Sequence, residues 1–361
     1  MARLEDICVF RSGGTPSRKN SEYFNGDIPW VTTTALNGDT ISVENANEWI
    51  TLKAIEESAA KIVPAHSILV GTRVGVGKVA INLVPMSTSQ DIISLIGIDT
   101  NKWNLEFLCK FISSKSAYLN SQARGATIKG IKIETLAELE LPNYSMPEQH
   151  LISSVFNTLE KLIFLRKQQL AKLDELVKSR FIEMFDDKYP TKPLQDVCEE
   201  LFAGGDVKKD KSSNFQSNEY PYPIYTNGEK DNGLYGYTSL VRVTKEAVTI
   251  SGRGTIGFTC LRKEPFYPAV RLIVAVPKQD LVSGCYLQHF IQSKNYGGQG
   301  ASIPQLTVPM VKDELIPVPP INLQEQFATF VEQTDKSKFE IQQSLEKLET
   351  LKKALMQKYF G

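Results

Sequence analysis

The sequence predicts a mixed α/β (α+β) protein built by internal duplication. Two globular domains of similar fold are separated by two long helices, packed as an antiparallel coiled coil with pseudo-twofold character. Three observations predict it. First, Glu148 to Asp187 contains neither Gly nor Pro, and apolar residues recur at steps of three and four: Ile152, Val155, Leu159, Leu162, Leu170, Leu173, Val177. That spacing keeps one apolar stripe on one side of a helix. At 1.5 Å per residue the stretch makes a rod of roughly 60 Å if unbroken, far longer than the ordinary globular helix. Second, Leu323 to Phe360 is again free of Gly and Pro, with a stripe through Phe327, Val331, Thr334, Lys338, Ile341, Leu345, Leu348, Lys352, Leu355 and Tyr359. Its four-three alternation is that of a coiled-coil seam. Third, the segments ahead of the two helices echo each other at a period of about 175–190 residues, too long for a solenoid.

The echo runs in order along the chain. Leu4-Glu5-Asp6-Ile7-Cys8 returns as Leu194-Gln195-Asp196-Val197-Cys198, and Ile28-Pro29-Trp30-Val31-Thr32 loosely as Tyr222-Pro223-Ile224-Tyr225-Thr226. Thr72-Arg73-Val74-Gly75-Val76-Gly77 matches Gly252-Arg253-Gly254-Thr255-Ile256-Gly257, and Gly125-Ala126-Thr127-Ile128 matches Gly300-Ala301-Ser302-Ile303. Leu141-Pro142 with Glu148-Gln149 returns as Val318-Pro319 with Glu325-Gln326. The boundaries that follow are 1–147 for the first domain, 148–187 for the first helix, 188–322 for the second domain and 323–361 for the second helix. Within each domain, β-rich runs such as His66 to Val70 and Glu246 to Ile250 are bounded by Gly and Pro, and helical stretches follow near Leu105–Ser114 and Tyr286–Ser293. The first helix ends just before the Leu194 motif, whereas the second ends at the chain terminus and its follow-on is the Leu4 motif. Antiparallel packing would therefore bring the two ends of the chain together.

Composition excludes several classes. Hydrophobic residues make up 42% and charged residues 23%, as in an ordinary globular protein. No apolar run reaches the ~18–20 residues of a membrane span, and MARLEDICVF lacks the apolar core of a signal peptide, so a cytoplasmic protein is expected. Five scattered cysteines, Cys8, Cys109, Cys198, Cys260 and Cys285, form no CxxC pair and suggest neither a zinc site nor a disulfide framework. Charge balances at 41 against 41, so any polyanion-binding face must come from uneven placement or from a partner protein.

Reactive motifs are also missing. Gly252 to Gly257 spells GxGxxG, but Phe258-Thr259-Cys260-Leu261 continues as a strand where a dinucleotide site needs a helix start. Gly71 to Lys78 mimics a P-loop with its glycine spacing off by one, and Val79 stands where Ser or Thr would hold magnesium. The three histidines, His66, His150 and His289, form no HExxH, and no nucleophile has an evident His and acidic partner. No metal ligands are expected, and a reader is favoured over a catalyst.

Half-domain, Pro break, Glu-Gln and long helix, all repeated, resembles the specificity (DNA-recognition) subunit of type I restriction-modification systems. The resemblance rests on Ser12-Gly13-Gly14-Thr15-Pro16, the Arg73 and Arg253 turns, the Gly125 and Gly300 turns, and above all the two Pro-to-Glu-Gln helix starts; it covers the chain end to end. It implies two target-recognition domains, each reading one half of a split double-stranded DNA site. The helices would set the spacing and dock methyltransferase (modification) subunits, two in number, with restriction/translocase subunits possible. S-adenosylmethionine would bind only on those partners, leaving this chain without a cofactor. The second half departs from the pattern: it lacks Gly-Gly-Thr-Pro and offers Ala203-Gly204-Gly205-Asp206 instead.

Candidate DNA contacts follow. Arg73 and Arg253 sit in glycine-rich turns after a strand, where an arginine can fork onto phosphate or guanine, or else pair with a local carboxylate. Lys78 closes the first of these turns. Arg124 and Lys129 flank the first Gly-Ala-Thr turn, and Gln299 and Ser302 lie at its counterpart. Arg11, Gly13, Gly14, Thr15 and Arg18 form or border the first glycine loop, and Thr226 and Asn227 follow a strand. Trp30, Tyr225 and Tyr235 read as packing aromatics, and Lys208-Lys209-Asp210-Lys211 as a solvated loop. Candidate partner contacts are Glu148, Gln149, Glu325 and Gln326 at the helix starts, and Arg166, Lys338 and Lys352 where the stripes turn polar. Two other classes remain open: a coiled-coil scaffold with peptide-binding halves, and a nucleotide-binding enzyme using the glycine loops.

Overall fold

The computed structural model describes residues 2–36, 40–125, 129–185, 189–294, 296 and 305–361. Both long helices form, as α2 and α4 among four principal helices: α1 (Leu105–Ser114), α2 (Met146–Met184), α3 (Gly284–Ser293) and α4 (Ile321–Phe360). The chain divides into two compact units, Met1–Arg166 with Ser344–Gly361, and Lys167–Gln343, so each long helix contributes a segment to both. Each unit thus holds one part of α2 against one part of α4.

In the first unit the central sheet uses β1 (Val9–Ser12), β2 (Ile68–Gly71), β3 (Val79–Asn82) and β4 (Ile92–Ile96). Its order is β1-β4-β2-β3, with the short strand Thr40–Ile41 added beyond β3. In the second unit β5 (Cys198–Ala203), β6 (Ala247–Ile250), β7 (Thr259–Arg262) and β8 (Ile273–Pro277) repeat that order as β5-β8-β6-β7. Strand residues such as Ile68, Leu69, Val70 and Ile273, Val274, Ala275 are buried on both faces, which is why these runs are continuously apolar. A second four-stranded sheet in each unit carries the divergent sequence.

Main-chain bonds put the duplication on a residue-by-residue footing. Leu4 N donates to Leu139 O (3.0 Å) as Leu194 N does to Glu314 O (2.9 Å). Gly71 N to Lys78 O matches Ser251 N to Phe258 O, both at 2.8 Å, and Ile131 N to Thr72 O (2.8 Å) matches Leu306 N to Gly252 O (2.9 Å). Gly71 to Lys78 and Gly252 to Gly257 are therefore turns of antiparallel hairpins, β2–β3 and β6–β7, not phosphate loops ahead of a helix.

The helix starts correct one alignment. Gln149 is buried at 1% exposure; its Oε1 accepts from Asn104 N (2.9 Å) and its Nε2 donates to Lys102 O (3.2 Å) and Tyr144 O (2.9 Å). In the second unit Gln324 does this, accepting from Ser283 N (2.8 Å) and donating to Leu281 O and Pro319 O (2.9 Å each). Asn104 and Ser283 are themselves the N-caps of α1 and α3. Gln149 therefore matches Gln324, and Glu325 and Gln326 lie beyond that register, both exposed. Glu148 closes its own helix end: Ser145 N and Oγ donate to its Oε2 at 2.7 and 2.6 Å, one arm of a capping box. Those bonds, the side-chain one first, hold its carboxyl below the ordinary glutamate range.

In α2 successive turns are buried toward each end, through Ile152, Phe156 and Leu159 and again from Val177, and no residue between Leu159 and Val177 is buried. In the first unit Ile152, Phe156 and Phe360 join the core of Leu4, Phe107 and Phe111, so residues near both ends of the chain contribute to one core. Phe156 and Phe360 stack at 5.7 Å between centroids. In the second unit Val177, Phe181, Phe185 and Phe327 surround the fully buried Tyr286, with Phe181 and Phe327 5.4 Å apart. The pairing runs antiparallel, because residue numbers fall along α4 as they rise along α2. Leu162 is 40% exposed, off the expected stripe; Ile163 takes the seam position because the seam follows a four-three step from Leu159.

Candidate nucleic-acid interface

In the first unit the β2–β3 turn projects Arg73 beside the turn made by Arg124 and Gly130, whose backbones exchange two hydrogen bonds at 2.9 and 3.0 Å. Arg73, Gln122, Arg124, Gly130, Lys132 and Thr135 line most of a cleft of about 500 Å³. Arg73, Arg124, Lys132 and the nearby Lys129 are all exposed. Balanced overall charge thus conceals a local concentration of cations, the arrangement that attracts phosphate. Arg73 also lies 3.7 Å from Asp91, so the local-carboxylate reading of this arginine holds alongside its exposure. Lys78 lays its aliphatic stem across Gly75.

The Gly-Gly-Thr-Pro loop is held inward. Gly13 N donates to Ile92 O (3.0 Å), Gly14 N to Thr88 O (2.8 Å), and buried Trp30 donates Nε1 to Gly14 O (3.0 Å). A Cβ on Gly13 would overlap the Ser89 carbonyl and one on Gly14 the Ala59 carbonyl, so this close backbone approach is what requires glycine. Thr15 remains exposed. Arg11 Nη1 donates to Ile62 O (2.8 Å), while Arg18 pairs with Glu48 (2.7 Å) and covers the Phe24 ring.

In the second unit Arg253 projects from the matched β6–β7 turn and donates to Gln305 Oε1 (3.1 Å). Asn227 is committed at both ends of its amide, accepting from Gly252 N (2.7 Å) and donating to Val270 O (2.6 Å). These two bonds tie Asn227 to the arginine turn. Thr226 N donates to Gly233 O (2.9 Å) in the adjoining turn. Gln299 and Ser302 lie outside the described residues. Tyr225 is buried beneath the Arg262 guanidinium (3.6 Å), and burial, with its bond to Glu264, pushes its phenol up to about 12. Tyr235 is 61% exposed, on the outward side of its strand, unlike the packing role expected of it.

The polar positions on the helix stripes face across the helix pair. Lys352 bonds Glu160 (2.7 Å), which also holds the 3%-exposed Lys110 (2.5 Å). Lys338 pairs with Asp174 (2.7 Å) and Asp335 (3.5 Å), and Arg166 lies half-buried on the seam. Asp91, Lys132, Gln122 and Gln305 carry no local sequence signal that would have singled them out.

Burial pushes the Cys8, Cys198 and Cys285 thiols up to about 12, which makes them inert. Among the described residues no group of His, Cys, Asp and Glu is arranged to hold a metal ion, and no helix is long and apolar enough to cross a membrane.

Comparison with known proteins places this arrangement. The specificity subunit of the type I restriction enzyme MjaIX from Methanocaldococcus jannaschii is 32% identical over 213 residues, covering 57% of this chain and 49% of that one. The match therefore spans about half the length of that relative. The S subunit of a type I restriction-modification system from M. genitalium superposes with a TM-score of 0.61 at 17% identity, covering 100% of this chain and 95% of that one. A chain from a structure of type I R-M complex assembly and conformational transition gives 0.64 at 15% identity, covering 99% and 96%. At such identities the two structures show a shared fold. The family model for the type I restriction modification DNA specificity domain matches residues 1–175 and again 186–353, and the chain belongs to that family.

Proposed function

We propose that this chain is the non-catalytic DNA-recognition subunit of a type I restriction-modification complex, each domain reading one half of a bipartite double-stranded site. The observation that carries the reading is the pair of arginine turns, Arg73 and Arg253, at matched positions of the duplication, the first of them on a cationic cleft. Arginine at such a turn can fork onto phosphate or guanine, and glycine lets backbone approach a groove. The two long helices set the separation of the half-sites and dock two methyltransferase subunits, which carry S-adenosylmethionine; restriction subunits join through the same assembly, in the cytoplasm. Phosphate grip beyond the local cation clusters comes from those partners, consistent with a chain of zero net charge.

The test exchanges residues 1–147 for the corresponding domain of another specificity subunit and maps methylation across the host genome. One half of the methylated motif should change and the other stay. An unchanged motif, or loss of both halves in an assembled complex, refutes the division of labour.

A further inference from the structure

We propose that Arg271 is a DNA-contacting residue of the second domain, and that Asp91 at the matched position of the first domain is a counter-charge on Arg73. The two domains then grip DNA through unlike arginine sets. This rests on the DNA-recognition reading above and adds to it the residues that make the two faces differ.

The match is fixed by backbone. Gly13 N donates to Ile92 O (3.0 Å) and Gly204 N to Leu272 O (2.8 Å), which aligns residue 92 with 272 and hence 91 with 271. In the first domain Asp91 O accepts from Thr72 N (2.8 Å) and from Thr72 Oγ1 (3.1 Å), and its carboxylate faces Arg73 at 3.7 Å. At the same place in the second domain stands a cation. Arg271 is exposed, and its guanidinium has no ion-pair or hydrogen-bond partner among the described residues. The nearby Arg253 turn therefore has an added positive charge where its counterpart has a negative one.

The backbone presenting Arg271 is unusual. Val270 and Arg271 are consecutive left-handed residues, with φ of 49° and 63°, closed by Leu272 N to Ala269 O at 3.1 Å. Turns of this hand normally take Asn and Gly, and a β-branched residue there is strained. The surroundings hold it: Val270 N donates to Gly205 O (2.8 Å), Arg271 N to Gly204 O (3.0 Å), and Asn227 ties Val270 O to Gly252 N. One amide thus couples the strained turn to the arginine turn. A Cβ on Gly252 would stand 3.4 Å from Arg271 O, so the two backbones are neighbours. Strain that the surrounding bonds over-determine is a feature of ligand-gripping positions, and a pre-positioned guanidinium loses less freedom when it forks onto phosphate or guanine.

The test uses the full chain assembled with its methyltransferase subunits. Binding is followed by fluorescence anisotropy across a salt series, on a duplex carrying the motif mapped by methylome sequencing and on a scrambled duplex. Arg271→Asn removes the charge but tolerates the left-handed backbone, so the fold is kept. It should weaken binding about tenfold and lower the salt slope by about one. Arg271→Lys should keep the slope while losing part of the affinity, because lysine cannot fork. Asp91→Asn should tighten binding and steepen the slope. If Arg73→Ala and Arg253→Ala weaken binding while both Arg271 variants match the parent, the role of Arg271 is overturned and the recognition reading stands. An unchanged slope in Asp91→Asn overturns the counter-charge. Equal binding of the two duplexes by the parent assembly sinks the recognition reading itself.

Discussion

His289 should make the second unit acid-sensitive. Its ring packs edge-on against Phe327 at 5.1 Å and lies 6.1 Å from Phe181, and burial lowers its titration from 6.5 to about 4. Asp335 pulls the other way and Lys338 reinforces burial; Asp174 and Lys178 from α2 line the same cavity. Because the folded-state value lies below the unfolded one, the neutral ring is accommodated fully above about pH 6.5. As the pH falls, the unfolded chain takes up a proton that the folded one refuses. Stability is therefore lost progressively from about pH 6.5 down to about pH 4 and no further on account of this group. The gap corresponds to roughly 3 kcal/mol when fully expressed, and to roughly 2 kcal/mol between about pH 7 and pH 5. Urea unfolding followed by tyrosine fluorescence, comparing the parent with His289→Gln at both pH values, isolates this from carboxylate titrations common to both. The variant should be somewhat less stable near neutrality yet lose roughly 2 kcal/mol less on acidification. Parallel losses in the two proteins would refute the argument.

Other perturbations are graded by what each side chain holds. Glu160→Ala withdraws the carboxylate from nearly buried Lys110 and from Lys352 and should cost about 2–3 kcal/mol, the lower part of the range for a broken buried pair because Glu160 is 29% exposed. Desolvation raises the Glu160 carboxyl, but bonds from Lys110 and Lys352 outweigh it and hold it below the ordinary range, so this contribution is present above about pH 4.5 and fades in acid. Gln324→Ala strands three backbone groups and should cost at least about 2 kcal/mol, whereas Gln326→Ala, at an exposed site, should stay within about 0.5 kcal/mol in the same unfolding assay. Inserting about four residues into both α2 and α4 adds roughly 6 Å and should lengthen the methylated motif's gap by about 1–2 base pairs; an unaltered gap in the methylome contradicts the spacer role.

What the sequence could and could not disclose has a physical pattern. The long helices were legible because 148–187 and 323–360 contain neither Gly nor Pro and the seam of α4 keeps its four-three step throughout; Pro147 stands in the first turn of α2, where proline is tolerated. The arginine turns were legible because glycine spacing in a hairpin is dictated by backbone. The start of α4 was misaligned because Leu323-Gln324-Glu325-Gln326 offers two glutamines, and the letters Glu-Gln match the first helix better than the geometry does. Only the fold reveals which amide faces the N-cap of α3. Asn227 follows a strand, where a residue reaches base edges or equally suits a turn, and no local pattern shows that its amide bonds Gly252 and Val270. The 91/271 pair was invisible for a similar reason: Gln90-Asp91 and Val270-Arg271 share no letters and are equated only by strand register.

Matched main-chain bonds explain how one frame can carry two unlike faces. An N–H to C=O bond makes no demand on the side chain beyond it, so exposed positions on that frame can change at small cost to stability. The glycine loops allow a direct comparison. Gly14 is buried, and a Cβ there would meet the Ala59 carbonyl carbon and oxygen and the Ala60 nitrogen at 2.5 Å, all backbone that cannot turn aside. At Gly205, which follows Gly204 as Gly14 follows Gly13, no atom lies within 4 Å of the added carbon and φ is outside the left-handed region. Gly14→Ala should therefore cost about 2 kcal/mol or more, as overpacking against fixed neighbours does. Gly205→Ala should be neutral or stabilise by up to about 1 kcal/mol, because alanine restricts the unfolded chain. Thermal melts of the two variants read the difference directly. Equal destabilisation would mean that the second loop is constrained like the first, and that the two domains do not differ there.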